Sequence, residues 1–442
     1  MNATNTLKLQ NEPLFMYKSL HLLLSIFVIV ATTAQCQSQW QTPTVDITKN
    51  DTVGYGFFRE EANIIQNKES LAPFFEKLWL QRTQGGRKIN IVHIGDSHIL
   101  GNFMTREMRK RMQAAFGDAG RGMIFPYKLI NSNGPQDYII STSARWSGTN
   151  CVRDQNELTD YGISGFSAVT NSTGSEITLQ LRDTTSSTSS PFTKVTVFYR
   201  NNDGAPPITV EDENTHQVAV PVIEDGFSKS FYFDRPVSEC TIKLAKCTGK
   251  KTFWLDGISI DNERAGVIYH SIGVNGAKFS DFARAKFFAL QLKEITPDLV
   301  ILSFGTNEAQ ARNSPTLLQK QMDELTTQIT SQWPHACILF TTPADSYLRG
   351  KGFNPNMVDI STTIKDFALK KDFAYWDLFQ VGGGENSAER WKSNGLMSSD
   401  SVHYSRTGYA AQGKLLYLGL INAYNESVHK KVAKAGAEGD GK

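Results

Sequence analysis

The stretch Ile89-Asn90-Ile91-Val92-His93-Ile94-Gly95-Asp96-Ser97-His98 decides how the rest of the chain is read. Its first six residues are mostly β-branched and apolar and predict a strand, Gly95-Asp96 reads as a tight turn, and Met104, Met108 and Met112 recur beyond it at helical spacing. The same rhythm returns after residue 264, with apolar strands predicted near 267–272, 299–304, 338–342 and 373–377. One helix between them is marked by Ser314 as N-cap and Pro315 at its first position, with Leu318, Met322, Leu325 and Ile329 on one face. Strands alternating with helices predict a largely parallel sheet covered on both faces, a three-layer α/β/α fold.

Between residues 127 and 263 the period changes. Ile177, Leu179 and Leu181 alternate with polar residues, as do Val195, Val197 and Tyr199, then Phe231 and Phe233, then Cys240, Ile242 and Leu244. Period two over several short runs predicts antiparallel strands and an inserted β-sandwich. The α/β domain is therefore expected in two parts, 89–126 and 264–425. Insertion after its first strand-helix unit costs little if the ends of the module lie close together. Residues 36–88 read as a lead-in ending in an amphipathic helix near 71–80, and 426–442 as a disordered tail.

Lys18 precedes an apolar run from Leu22 to Ala31, with small residues through Ala34, which is the layout of a signal peptide over 1–35. The run is shorter than the roughly 20 apolar residues a spanning helix needs, so no transmembrane span is expected and the mature protein is read as exported, periplasmic or extracellular. Cys36 follows the run, but Gln35 before it fits a lipid-anchor site poorly. The 442 residues carry 46 Lys+Arg against 44 Asp+Glu, a balance that argues against nucleic acid as a partner. Five cysteines without a CxxC make no disulfide framework, although Cys240 and Cys247 are close enough to pair, and no metal-ligand cluster is present. Oligomeric state is not legible.

The chemistry-bearing residues fall at strand ends. Ser97 sits where the first strand gives way to a helix, the edge on which α/β proteins place reactive groups. A Ser hydroxyl needs a base, a group to orient that base, and donors for the oxyanion formed on attack. Asp400 and His403, three apart in Asp-Ser-Val-His, suit orienter and base. Gly276 and Asn307 follow the next two strands, and their backbone N–H and side-chain amide suit the oxyanion.

Four such blocks in this order resemble the SGNH, or GDSL-type, hydrolase superfamily: Gly-Asp-Ser-His at 95–98, the Gly276 loop, Gly-Thr-Asn-Glu at 305–308, and Asp400 to His403. The resemblance implies a flavodoxin-like fold with Ser97, Asp400 and His403 as catalytic residues. It also implies an oxyanion hole made by Ser97, Gly276 and Asn307, and no cofactor or metal. The sandwich between the first and second blocks, His98, Phe-Gly-Asp-Ala-Gly-Arg-Gly at 116–122 and Gly-Gly-Gly-Glu-Asn-Ser at 382–387 are similar to bacterial peptidoglycan O-acetylesterases with a carbohydrate-binding-like insert. An acetylated glycan is then the expected substrate and partner. A lipase or thioesterase, a glycan O-acetyltransferase, and a glycan-binding protein without activity are the alternatives.

Overall fold

The computed structural model describes residues 43–47, 53–153, 160–182, 190–200, 205–224, 226–249, 251–348 and 352–439. The segment read as a signal peptide, and Cys36, lie outside them. Six strands form the central sheet in the order Ile65–Gln66, Ala374–Trp376, Cys337–Thr341, Leu299–Ser303, Lys88–Gly95, Gly266–Gly273. All neighbours run parallel except Ile65–Gln66, an edge strand drawn from the lead-in. Alternate side chains of Lys88–Gly95 serve opposite faces. Ile89 and Ile91 pack in the cluster that holds Met104, Met108 and Met112 of the helix Phe103–Phe116, whereas Val92 and Ile94 join Phe304, Leu318 and Met322. Both faces are dry, so the strand reads as a continuous apolar run. The helix Pro315–Gln332 begins as its sequence requires: Ser314 Oγ accepts the Leu317 N–H, and Leu318, Met322, Leu325 and Ile329 are fully buried. Each such burial stabilises by roughly 1.5–3 kcal/mol.

The insert consists of a seven-stranded and a four-stranded sheet, antiparallel throughout. The residues expected to face inward do so: Ile177, Leu179 and Ile242 of one sheet share a core with Val195, Val197 and Phe231 of the other. That cluster continues into the α/β layer through Val274, Phe282 and Phe288. At the seam, buried Asp256 accepts from Arg200 at 3.2 Å, Ser167 at 2.6 Å and Gln291 at 3.0 Å. The strand carrying Asp256, Phe253–Asp261, lies inside the larger sheet and is buried on both faces, so it shows no period-two pattern.

Pairing with the larger sheet begins at Gly122–Ile124, ahead of the boundary expected at 127. The glycine run at 116–122 brings the two ends of the insert together. Val267 N–H donates to Gly117 O at 2.8 Å, and Asn262 N–H to Ala119 O at 2.9 Å. A Cβ on Gly266 would lie 2.3 Å from the Gly117 carbonyl, and one on Gly120 would lie 2.5 Å from Asp261 Cα. Both glycines also have positive φ, 142° and 128°.

The tail expected to be disordered from 426 is helical: Arg406–Gly439 is one helix. Val428 is buried, Lys430 pairs with Glu69 at 3.1 Å, and Lys431 pairs with Glu76 and covers the Trp79 ring. Lys and Ala, which read as disorder by composition, are also good helix formers once a docking face is supplied. Cys240 and Cys247 are both free thiols. Among the described residues no helix is long and apolar enough to cross a membrane.

Replacing Gly266 with Ala imposes both the strained φ and the clash. Urea unfolding should show a loss on the order of 2–4 kcal/mol, and an unchanged midpoint would refute the close-approach account.

Candidate active site

The parallel ladder sets the site. Gly95 is in register with Gly273 on one side and Ser303 on the other, so the three strands end level and their loops leave one edge together. Ser97, Gly276 and Asn307 lie two, three and four residues beyond those ends. Gly95 permits the sharp exit, since a Cβ there would sit 2.5 Å from Ser303 O and from Ile99 Cγ1.

Ser97 opens the short helix Ser97–Leu100, and its Oγ lies 2.8 Å from His403 Nε2. His403 Nδ1 is 2.7 Å from Asp400 Oδ2. A carboxylate only accepts, so His403 carries its proton on Nδ1 and accepts from Ser97 on Nε2. Asp400 is itself held. Its Oδ1 accepts from Ser398 Oγ at 2.7 Å, His403 N–H at 2.9 Å and Val402 N–H at 3.0 Å. Partial desolvation opposes ionisation, but Ser398, the Val402 N–H and His403 outweigh it and keep the carboxyl well below the usual range. The sequence-predicted Ser, His and Asp are thus assembled in one hydrogen-bonded line.

Gly276 occupies a turn after Gly266–Gly273 with φ of 79°, and nothing crowds it closer than Val152 Cγ1 at 3.6 Å. Among the described residues, the N–H groups of Ser97 and Gly276 have no acceptor. Asn307 differs, because its amide nitrogen already donates to Asp96 Oδ2 at 3.2 Å and to Ala277 O at 3.0 Å. It lies beside the other two, but any oxyanion must compete for one of its N–H groups.

Two buried carboxyls organise these loops and were missed as functional residues although both lie inside the quoted motifs. Asp96 caps the Ser97–Leu100 helix, accepting His98 N–H at 2.9 Å on one oxygen and Asn307 on the other. Glu308 spans two loops, accepting Phe279 N–H at 2.9 Å on Oε1 and Gly305 N–H at 3.0 Å on Oε2. Burial pushes each carboxyl up to about 7 against the pull of those hydrogen bonds. The only available signal was an acidic residue next to each candidate. Sequence shows that adjacency but not its burial.

His98 packs behind His403. Its Nδ1 is 3.0 Å from Tyr409 Oη, its ring centroid is 5.2 Å from that of His403, and desolvation lowers it to about 3, so it is neutral. Beneath it, His93 lies 2.9 Å from Tyr269 Oη and 2.6 Å from Ser303 Oγ, wholly buried across the sheet. Among the described residues no group of three or more His, Cys, Asp or Glu side chains could hold a metal ion.

The fold is an α/β/α layer with an inserted β-module, and comparison with known proteins bears on its class. Residues 247–411 match the model of the GDSL-like Lipase/Acylhydrolase family. Over that segment the chain is similar to ester hydrolases of the GDSL, or SGNH, type. The matched segment contains Gly276, Asn307, Asp400 and His403, while Ser97 lies upstream of it, across the insert. No curated protein matches the chain. Among solved structures, a peptidoglycan O-acetylesterase shares 23% identity and superposes with a TM-score of 0.68, over 82% of this chain and 99% of that one. A lipase/acylhydrolase from Enterococcus faecalis (16% identity, TM-score 0.29) covers 36% of this chain and 77% of its own. A GDSL-like lipase from Bacteroides thetaiotaomicron (16%, 0.27) covers 36% and 76%.

Glu308→Gln keeps the shape but sets an NH2 group against one of the two N–H donors. The variant should lose about 1–3 kcal/mol of unfolding free energy. Because Glu308 is raised to about 7 on folding, the wild type holds an extra proton between the ordinary carboxylate range and pH 7 and loses that advantage as pH rises. The gap between wild type and variant should therefore narrow from pH 5 to pH 8 in urea titrations. A constant gap would show that Glu308 does not titrate in that window.

Proposed function

We propose that the chain is an exported serine esterase that removes O-acetyl groups from a glycan, peptidoglycan foremost, through an acetyl-Ser97 intermediate. The observation that carries this is the Ser97–His403–Asp400 line, with contacts of 2.8 and 2.7 Å and two unengaged N–H groups beside it. Ser97 Oγ attacks the acetyl carbonyl while His403 Nε2 takes its proton. The oxyanion is held by the N–H groups of Ser97 and Gly276 and by an Asn307 N–H turned from its present acceptor. The C–O bond to the sugar breaks as His403 returns the proton to the leaving alcohol. Water, deprotonated by His403, then attacks the acetyl-Ser97 carbonyl and releases acetate and free Ser97. Asp400, ionised throughout, stabilises the imidazolium formed in each half.

The acetylated glycan is supported by the likeness to the solved peptidoglycan O-acetylesterase, whose length this chain spans almost completely. Export is supported by the apolar run from Leu22 to Ala31 behind Lys18.

Acetate release from O-acetylated peptidoglycan tests the reading. Ser97→Ala should lose at least about 10³-fold in turnover, and Asn307→Ala about 10²–10³-fold. Near-normal release by Ser97→Ala would overturn the assignment of the nucleophile.

A further inference from the structure

A groove of about 230 Å³ runs along the insert where it meets the α/β layer, lined by Tyr127, Lys128, Asn133, Gln136, Tyr138 and Arg182 among others. Among the described residues no acidic side chain lines it. Lys128 and Arg182 are exposed, and among the described residues neither has a carboxylate partner. A second groove of similar size, at the opposite end of the sheet strands, differs in that Lys88 and Lys194 lie against Asp261 in its own lining and Lys77 pairs with Asp298. Among the described residues the first groove therefore carries only cationic charge, in a protein whose charges nearly cancel.

Its position is set by the candidate active site. Three residues beyond His403, Arg406 lies over the Phe103 ring and donates to Gln136 Oε1 at 3.1 Å. Gln136 thus links the groove to the turn that carries His403, and Arg406 adds a third cation at the junction. The next residue, Asp137, faces inward and is held by Arg109 at 3.1 Å, by Arg121 at 3.0 Å, and by Asn102 at 3.2 Å just after the nucleophile helix. With its carboxylate committed there, Asp137 leaves the groove's positive charge uncompensated. The opposite wall is equally fixed, since a Cβ on Gly134 would fall 2.1 Å from the Tyr127 ring, so the loop lies flat on that ring.

We propose that this groove binds a carboxylate-bearing stretch of the glycan chain whose acetyl group reaches Ser97. Arg182 and Lys128 take the carboxylates, the first with a fork suited to their planar shape, and Asn133 and Gln136 hydrogen-bond sugar hydroxyls. The inference rests on the esterase reading for its neighbouring site and adds where the carboxylates of the glycan are held.

The test measures retention of the full Ser97→Ala chain on three polymers, so that no turnover is required. These are purified peptidoglycan, whose peptides carry carboxylates, immobilised polygalacturonate, whose sugars do, and neutral cellulose. Retention is expected on at least one anionic polymer and not on cellulose, and which one retains the chain identifies the carboxylate's source. Lys128→Glu/Arg182→Glu should weaken that retention by about tenfold or more, and salt should weaken it in the parent. If thermal melting shows the reversed pair unfolded, Lys128→Gln/Arg182→Gln is expected to shift retention in the same direction. Equal retention on cellulose, no retention on either anionic polymer, or unchanged affinity in the folded variants overturns the proposal. Turnover of p-nitrophenyl acetate by the chain with Ser97 intact is measured separately. Its absence would sink the esterase reading and leave the retention result standing.

Discussion

Parallel pairing of Lys88–Gly95 with a neighbour on each side is the constraint on which the site depends. A parallel ladder has no freedom to slide by one residue, because a slip would turn Ile91 and Val92 to the wrong faces of a sheet that is dry on both. Register therefore follows from burial, and the level strand ends follow from register. Three loops from distant parts of the chain then open at one edge without any direct signal between them. The cost is crowding at that edge, which is why Gly95 and Gly273 stand where a Cβ would meet backbone at 2.5 and 2.3 Å.

Level strand ends alone leave the loops loose, and two buried carboxyls remove that freedom. An ionised carboxylate in an apolar surround is costly unless each oxygen is paired. In Asp96 and Glu308 each oxygen is paired, and always with a group from a loop that carries a candidate residue. Burial raises both carboxyls to about 7 against the pull of those hydrogen bonds. The arrangement gives up some stability to hold donors in place, in keeping with a site organised ahead of any substrate.

Much of this was legible in the sequence, and the parts that were not share a cause. The strand into Gly-Asp-Ser-His, the Ser314-capped helix and the alternating runs of the insert were visible because each has one distinct environment per face. Phe253–Asp261 carries no such alternation, being covered by the sandwich core on one side and the α/β layer on the other. The C-terminal helix was hidden because Lys430 and Lys431 are ordered by Glu69 and Glu76, which lie far away in sequence. Asp400, His403 and Ser97 could be picked out by type, spacing and order. The engagement of Asn307 with Asp96 could not, since it depends on how closely two strand-end turns approach each other.

The insert and the site are mechanically one unit. Arg109, wholly buried on the helix after the Ser97 turn, shares the Asp137 carboxylate with Arg121, so two cations meet one anion in a dry seam. Taken as an isolated stability device this is poor, because a net positive charge remains buried and Arg109 Nε finds no partner among the described residues. It makes sense as a fixture. Asp137 belongs to the insert, Arg109 and Asn102 to the α/β layer, and the two layers cannot separate without exposing unpaired charge to the same dry seam. An insertion hung on its two ends alone would pivot about the glycines at 117 and 266, whereas one pinned at Asp137 as well is held at a second, distant point. That second point lies beside Gln136 and Arg406, so the surface the insert presents is held at a fixed angle to the Ser97–His403 pair.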